Sequence, residues 1–544
     1  MTDNEVPVLI VGGSLVGMTT ACLLGHHGIP SLVVERHRGS AIHPRAALIL
    51  QRSMEIYRGI GLEEKIETRS REQFDQDAAI MSVESLAGEE IAWHLPRLND
   101  GVRDLSPSER LFASQIAIEP VLGERARELG AETRFGTELV GFEQDDDGVV
   151  AVVRDRDTDA QSSVRARYMV ASDGARSWVR EQLGIGQAGR GAFSNSVTIY
   201  FHADVKPLMR GRNLGVITVV NDTLQGFFRI QKPYESGFLA VHGLGDPKHP
   251  NSDVSQNLTE ERCVELVRAA LGVPDLPVTI DDVMHWQARA DVSDSYRKGR
   301  VFLVGDAAHV MPPYGGYGGN TGIHDAHNLA WKLAAVINGC ADPELLSTYE
   351  VERKPVAQFT VEQAYARYVT RAAPFLATKG IEKLVDDAHI DLGYRYRSSA
   401  VVSGSNGDFL IQSDPRETAG LPGTRAPHQL IARDGQECSI LDLFGRNAVL
   451  LTGSSGTRWT IPARRMSQKL GIRLDLHVID GTETGPDVGE QFTALYGITE
   501  SGAVLVRPDG FVCWRAQTDN DASDQSIESA LLSLLGRTLK PAVL

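Results

Sequence analysis

A glycine-rich turn between an apolar strand and a helix constrains this chain more than any other feature. Val6 to Val11 is an apolar run, Gly12 to Gly17 reads Gly-Gly-Ser-Leu-Val-Gly, Met18 to His27 has helical periodicity, and Ser31 to Glu35 is a second apolar run. That order starts a parallel sheet. The helix N-terminus offers free N–H groups, and glycine lets a diphosphate approach the backbone. Gly12 and Gly17 take the first and third fingerprint positions; Ser14 takes the second, where glycine is usual, and Leu15 follows it. Glu35 ends the second strand, where a carboxylate accepts from ribose hydroxyls and repels a 2′-phosphate; Arg36 follows it. A ligand-free tight turn is the competing reading, and Glu35 disfavours it.

The length of 544 residues suits two to four domains, and 42% apolar with 23% charged residues describes a soluble globular chain. The net charge of −16 argues against nucleic acid or an anionic membrane as the main partner. No apolar run reaches the ~18–20 residues of a membrane span, and the acidic N-terminus lacks a secretory pattern. The cytoplasm is therefore the expected compartment. Cys22, Cys263, Cys340, Cys438 and Cys513 form no Cys-x-x-Cys, which excludes a disulfide framework, a zinc ribbon and a dithiol centre. No metal site is expected. Asp145-Asp146-Asp147-Gly148 lacks the further ligands of a calcium loop and reads as a β-turn.

Two later motifs narrow the chemistry. In Ala171 to Glu181, Asp173-Gly174 makes a turn at a strand end. In Gly299 to Ala334, strand Val301 to Val304 delivers Gly305-Asp306, and Asp306 is suited to accept from sugar-like hydroxyls. Pro312-Pro313 stiffens the following loop. Gly318, Gly319 and Asn320 then open a helix whose bare N-terminus would stabilise an electron-rich ring carbonyl.

Together these three motifs resemble the FAD-dependent aromatic hydroxylases of the p-hydroxybenzoate hydroxylase fold. SQIAIEPVL (Ser114 to Leu122) and STYEVERKPVA (Ser347 to Ala357) agree. LGYRYRSSAVV, PGTRAPH and VRPDGFVCWR resemble the longer members with a thioredoxin-like tail, most of all bacterial aromatic polyketide hydroxylases. The resemblance implies an α/β architecture with an α+β substrate layer. A Rossmann-like FAD-binding domain would use residues 1–75, 105–180 and 290–400. An inserted β-sheet substrate domain would use 76–104 and 181–289. A thioredoxin-like domain without redox cysteines would use 401–544.

The resemblance also implies residue roles. Glu35 would hold the adenosine ribose, Arg45 would lie by the pyrophosphate and ribityl chain, and Gln115 and Asp306 would contact the ribityl region. Pro313 would pack near the isoalloxazine, Gly318 to Gly322 would face its pyrimidine end, and Asp173 would close the groove shared with the nicotinamide. Gly12, Ser14, Leu15, Gly17, Arg36, Gly319 and Asn320 complete the expected cofactor set. Tyr317 and Gly319 stand where a glutamine and a bulkier apolar residue are common, which alters the flavin's substrate side.

The implied activity is hydroxylation of a polycyclic aromatic polyketide in antibiotic biosynthesis. Tightly but non-covalently bound FAD, NADPH or NADH as transient co-substrate, and O2 acting through a C4a-hydroperoxyflavin would supply the chemistry. Such a substrate carries its own phenols, so no strong catalytic base is expected. Arg371 is the one candidate substrate contact, set against the bland reading of a surface arginine. His309 and His324 read as structural histidines, and Trp286 and Trp331 as packing. A catabolic phenol-type hydroxylase or an antibiotic-inactivating monooxygenase remains open, as does, more remotely, a non-catalytic flavin-binding assembly protein. No tryptophan fits a halogenase signature, and the Gly-Asp motif disfavours an NAD-dependent dehydrogenase. Monomer and homodimer are both open.

Overall fold

The computed structural model describes residues 4–43, 48–243, 258–373, 376, 380–402, 410–433, 435–480 and 486–537. Arg45 lies outside them. The first sheet is ordered Arg297–Lys298, Val301–Leu303, Gln161–Ala171, Asn4–Val11, Ser31–Glu35, Glu132–Phe135, with Thr137–Gln144 and Val149–Asp155 added as an antiparallel flap. Its four central pairings are parallel. Parallel strands are covered on both faces, and Val8, Leu9 and Ile10 are accordingly all fully buried. The helices Leu15–His26 and Tyr317–Ile337 pack together against this sheet.

The second sheet is antiparallel apart from one pairing and runs His309–Val310, Thr279–Ser293, Gln187–His202, Ser236–His242, Gln225–Gln231, Leu214–Val220, Ala79–Val83, Glu90–Leu95. Its strand period of two sorts the side chains. Val197, Ile199, Phe228, Leu239 and Val241 pack outward against Leu266, Val267 and Ala270 of the helix Glu260–Leu271. The alternate positions Ser196, Thr198, Tyr200, Phe227, Phe238 and His242 face the other way, over the loop that precedes Tyr317. This sheet extends past position 289, because the strand Thr279–Ser293 is unbroken and His309–Val310 pairs with its end.

The last sheet is ordered Leu474–Ile479, Ala448–Gly453, Ala503–Val506, Val512–Ala516, with the first pair parallel and the others antiparallel. With the helices Thr460–Leu470, Pro486–Tyr496 and Asp524–Leu534 this is a thioredoxin-like arrangement. Cys513 is buried, and burial pushes its thiol up to about 12. The Asp145 turn is a turn: its Oδ1 accepts from the N–H groups of Asp147 and Gly148.

Buried ions join this C-terminal unit to the first sheet's helices. Glu55 accepts from Arg52 at 2.8 Å, from Arg425 at 2.9 Å and from the Ser106 hydroxyl at 2.6 Å. Burial pushes the Glu55 carboxyl up, but the Arg425 and Arg52 guanidiniums outweigh it and hold the pKa at about 2. A depressed folded-state pKa gives stability that is full above the unfolded value and fades as pH falls through the folded one. Glu55 thus contributes up to about 3 kcal/mol near neutrality, lost between about pH 5 and pH 2. Glu55→Gln is expected to melt lower than the parent at pH 7 and to show a flatter decline in acid; parallel pH slopes for the two proteins would refute this.

Candidate active site

The glycine turn is as crowded as its sequence demands. A Cβ on Gly17 would stand 1.9 Å from the Gly12 carbonyl oxygen. Gly12 has φ +102°, and a Cβ there would meet Ser172 O at 2.4 Å. Glu35 reaches back across the turn: its Oε2 accepts from Gly13 N at 2.7 Å and its Oε1 from His37 N at 2.8 Å. Arg36 is exposed and leaves its guanidinium in solvent.

Ser14 is exposed on the turn and bonded to a glutamate. Its hydroxyl donates to Glu119 Oε1, which also accepts from Leu15 N at 3.1 Å and from Gln115 Nε2 at 3.2 Å. Glu119 Oε2 accepts from Ala41 N at 2.7 Å. Glu119 therefore joins the turn, the following loop and the Gln115 helix at one buried carboxylate. Sequence reasoning missed it, although Gln115 and Glu119 stand one helical turn apart on the same face.

Asp173 and Asp306 have room for a partner. Asp173 Oδ2 accepts from Val179 N at 3.1 Å, while its Oδ1 is buried with no hydrogen-bond partner. Burial raises its pKa. Asp306 keeps solvent contact, and among the described residues its carboxylate takes no hydrogen bond; the protein atoms crowded around it raise its pKa. Unpaired acceptors of this kind match the hydroxyls of a sugar-like chain. Gly305 has φ +59° and donates its N–H to Asp325 at 3.1 Å; Asp325 also binds His309 at 2.7 Å and Arg353 at 2.8 Å. These groups are buried, so His309 is a structural histidine. His324 likewise bonds Ser53 at 3.2 Å.

The helix Tyr317–Ile337 begins on Gly316, in a left-handed conformation and without a side-chain cap, so its first N–H groups are free. A Cβ on Gly318 would meet only Met311, at 3.7 Å, so the surrounding protein leaves that turn open. Gly319 is half-buried beside it, and Pro313 is exposed on the loop just before. The Asn320 side chain is engaged within the protein. Its carboxamide accepts from Leu50 N at 2.9 Å and donates to Leu48 O at 3.0 Å and Gly316 O at 2.7 Å. All of it is spent fixing the helix start against residues 48–50. Tyr317 is buried, with its hydroxyl on Asp387 at 2.5 Å, so its ring fills core rather than the face above the loop.

Above the loop lies an aromatic wall. Tyr314 packs on Phe227, His242 and Tyr368, and Trp286 joins it through His242. Trp286 thus belongs to this wall as well as to the packing, and donates to Thr198 at 3.0 Å. Arg371, in the last turn of the helix Thr348–Ala372, is half-buried rather than a free surface residue. Among the described residues it makes no ion pair or hydrogen bond, and its charge acts on Tyr314.

This geometry meets known proteins along nearly its whole length. Residues 5–364 match the model of an FAD binding domain, and 419–538 that of the aromatic-ring hydroxylase C-terminal domain. The chain belongs to the FAD-dependent aromatic-ring hydroxylases. This hydroxylase is 49% identical over 539 residues to 4-methyl-5-nitrocatechol 5-monooxygenase of a Burkholderia species, covering 98% of each chain. It is 39% identical to tetracenomycin B2 monooxygenase-dioxygenase of Streptomyces olivaceus, covering 99% of this chain and 100% of that one. The crystal structure of aklavinone-11 hydroxylase with FAD and aklavinone superposes with a TM-score of 0.92 at 37% identity, covering 99% and 100% of the two chains. The hydroxylase is a flavin monooxygenase that uses FAD, NAD(P)H and O2. No helix among the described residues is long and apolar enough to cross a membrane.

Proposed function

We propose that this hydroxylase adds one oxygen atom to a phenolic polycyclic aromatic of the polyketide kind, in the cytoplasm, with the ring held against the aromatic wall. The observation that carries this is the wall of aromatic side chains around Tyr314, on which the charge of Arg371 acts; among the described residues Arg371 makes no ion pair or hydrogen bond. A flat ring suits the aromatics, and a cation suits the negative oxygen of a phenolate.

The orphaned acceptors and the open helix start fit FAD. Glu35 would hold the adenosine ribose, the turn Gly12–Gly17 the diphosphate, and Asp306 the ribityl hydroxyls. The N–H groups at Gly318 and Gly319 would face the ring's carbonyl end, and Asp173 would close the groove. FAD, when bound, supplies the oxidation–reduction chemistry and the activation of O2. The chain's own task is to hold the substrate ring in place and exclude water. In this division the first sheet serves the cofactor, the second covers the substrate, and the C-terminal unit braces both.

One observation favours a second reading. The relative at 49% identity is named for a monocyclic nitrocatechol, and such a phenol would form its anion readily beside Arg371. The test is NADPH oxidation by the purified yellow protein against polycyclic aromatic polyketides and 4-methyl-5-nitrocatechol, with mass spectrometry of each product. One polycyclic compound returned one oxygen heavier supports the first reading. Turnover of the nitrocatechol alone supports the second, and peroxide as the sole product from every compound refutes both. Arg371→Met is expected to weaken substrate binding tenfold or more, with Arg371→Lys recovering part of it. Equal affinities in titrations of the three proteins would remove Arg371 from the site.

A further inference from the structure

The aromatic wall contains a run of hydrogen-bonding contacts that can be ordered in either of two directions, set by the His242 tautomer. Tyr314 Oη lies 3.1 Å from His242 Nε2, His242 Nδ1 lies 3.4 Å from Ser196 Oγ, and Ser196 Oγ lies 3.1 Å from Ser194 Oγ. Ser194 ends the run: its hydroxyl points at the Asn195 carbonyl oxygen at 3.5 Å and also bonds Tyr368. A carbonyl only accepts, and each hydroxyl has one proton. If Ser194 gives its proton to that carbonyl, it accepts from Ser196, and Ser196 accepts from His242 Nδ1–H. The bare Nε2 of His242 then accepts from the Tyr314 hydroxyl.

His242 is neutral in this arrangement. It is 7% exposed, and burial lowers its pKa to about 4. It fixes the Tyr314 proton. Tyr314 follows Pro313 on the loop before the helix Tyr317–Ile337 and, like His242, is buried at 7% exposure.

We propose that Tyr314 is a specificity-determining residue: its phenolic oxygen, with its own proton committed to His242, presents only lone pairs and selects a substrate that places a hydroxyl or N–H hydrogen there rather than a carbonyl or ether oxygen. This rests on reading the space under the wall as the substrate site. An acceptor set against an acceptor leaves both unpaired, and sites built for a donor reject the analogue that lacks one. With the charge of Arg371 acting on Tyr314, the wall suits a ring carrying two oxygens in different protonation states, one ionised and one still bearing its hydrogen.

Two experiments test this. In the first, 15N-histidine-labelled holoenzyme is examined by two-bond 1H–15N spectroscopy, with His242 assigned by its absence from His242→Gln. The expected result is a proton on Nδ1 and none on Nε2, unchanged between about pH 8 and pH 5. A protonated Nε2 would overturn the proposal without touching the hydroxylase reading.

In the second, 4-methyl-5-nitrocatechol and its two monomethyl ethers are titrated into oxidised holoenzyme and followed by flavin absorbance. At least one ether is expected to bind tenfold or more weakly than its parent. That ratio is expected to fall to about threefold or less in Tyr314→Phe, which keeps the ring packing. Ser196→Ala, which removes the acceptor for Nδ1–H, is expected to lower it as well. An unchanged ratio in both variants would overturn the role of Tyr314, while product formation in the assay above would still support the hydroxylase reading.

Discussion

Gly17→Ala is expected to give colourless protein. The added methyl would lie 1.9 Å from a backbone oxygen and 2.6 Å from Ser172 Oγ, so the turn itself must shift. That turn sets the distance between a helix N-terminus and the bound diphosphate, and an ångström there is decisive. FAD affinity is expected to fall at least 100-fold, about 3 kcal/mol. The check is the flavin-to-protein absorbance ratio after purification, with a Kd from fluorescence titration of the apoprotein. A yellow Gly17→Ala protein with the parent's Kd would show that the turn does not set the phosphate site.

Glu352→Ala is expected to cost about 3–5 kcal/mol of stability, as buried ion pairs do when one partner is removed. Glu352 is sealed from solvent and receives two bonds from Arg507, at 2.6 and 2.9 Å, and one from Lys332 at 2.7 Å. Burial pushes the Glu352 carboxyl up, but Arg507 and Lys332 hold it well below the carboxylate range. Arg507 would keep Asp509, whereas Lys332 would keep only Asn328. The Lys332 ammonium, already lowered to about 8 by burial, would be left as an unpaired charge in the interior. Lys332→Met in the Glu352→Ala background is therefore expected to recover part of the loss. Denaturant melts of the three proteins decide it, and a Glu352→Ala midpoint equal to the parent's would refute the account. Flavin content should fall with stability, because Lys332 and Asn328 lie on the helix whose first turn faces the flavin ring in the proposed arrangement.

The strands, turns and helices near the motifs were legible because their chemistry is local. The strand Ser31–Glu35 and the strand Leu474–Ile479 fall where their apolar runs place them. The helix Gln115–Glu128 runs through the SQIAIEPVL segment. The helix Pro486–Tyr496 has no marking motif in the sequence. Its apolar residues meet a partner sheet that only the folded chain supplies.

Site residues divide along the same line. Gly12, Gly17, Glu35 and Asp306 stand out in sequence because a turn, a strand end and a fixed spacing are properties of neighbouring residues. Asn320 reads as a ligand contact because it opens the right helix. Only its bonds to residues 48–50, far away in the chain, show that it holds the helix in place. Glu119 is the converse, an ordinary helical glutamate until Ser14, Leu15 and Ala41 converge on it.

The sequence by itself determined the cofactor class and the parallel core, since backbone approach to a diphosphate and burial of β-branched runs depend on short-range order. Which side chains line the proposed substrate site was decided by tertiary structure alone. In a strand one step of register reverses every side chain, and only the helix packed on Val197, Ile199 and Phe228 sets which face is the outer one. That packing turned His242 inward to Tyr314, and the end of the long helix brought Arg371 near enough for its charge to act on the same tyrosine.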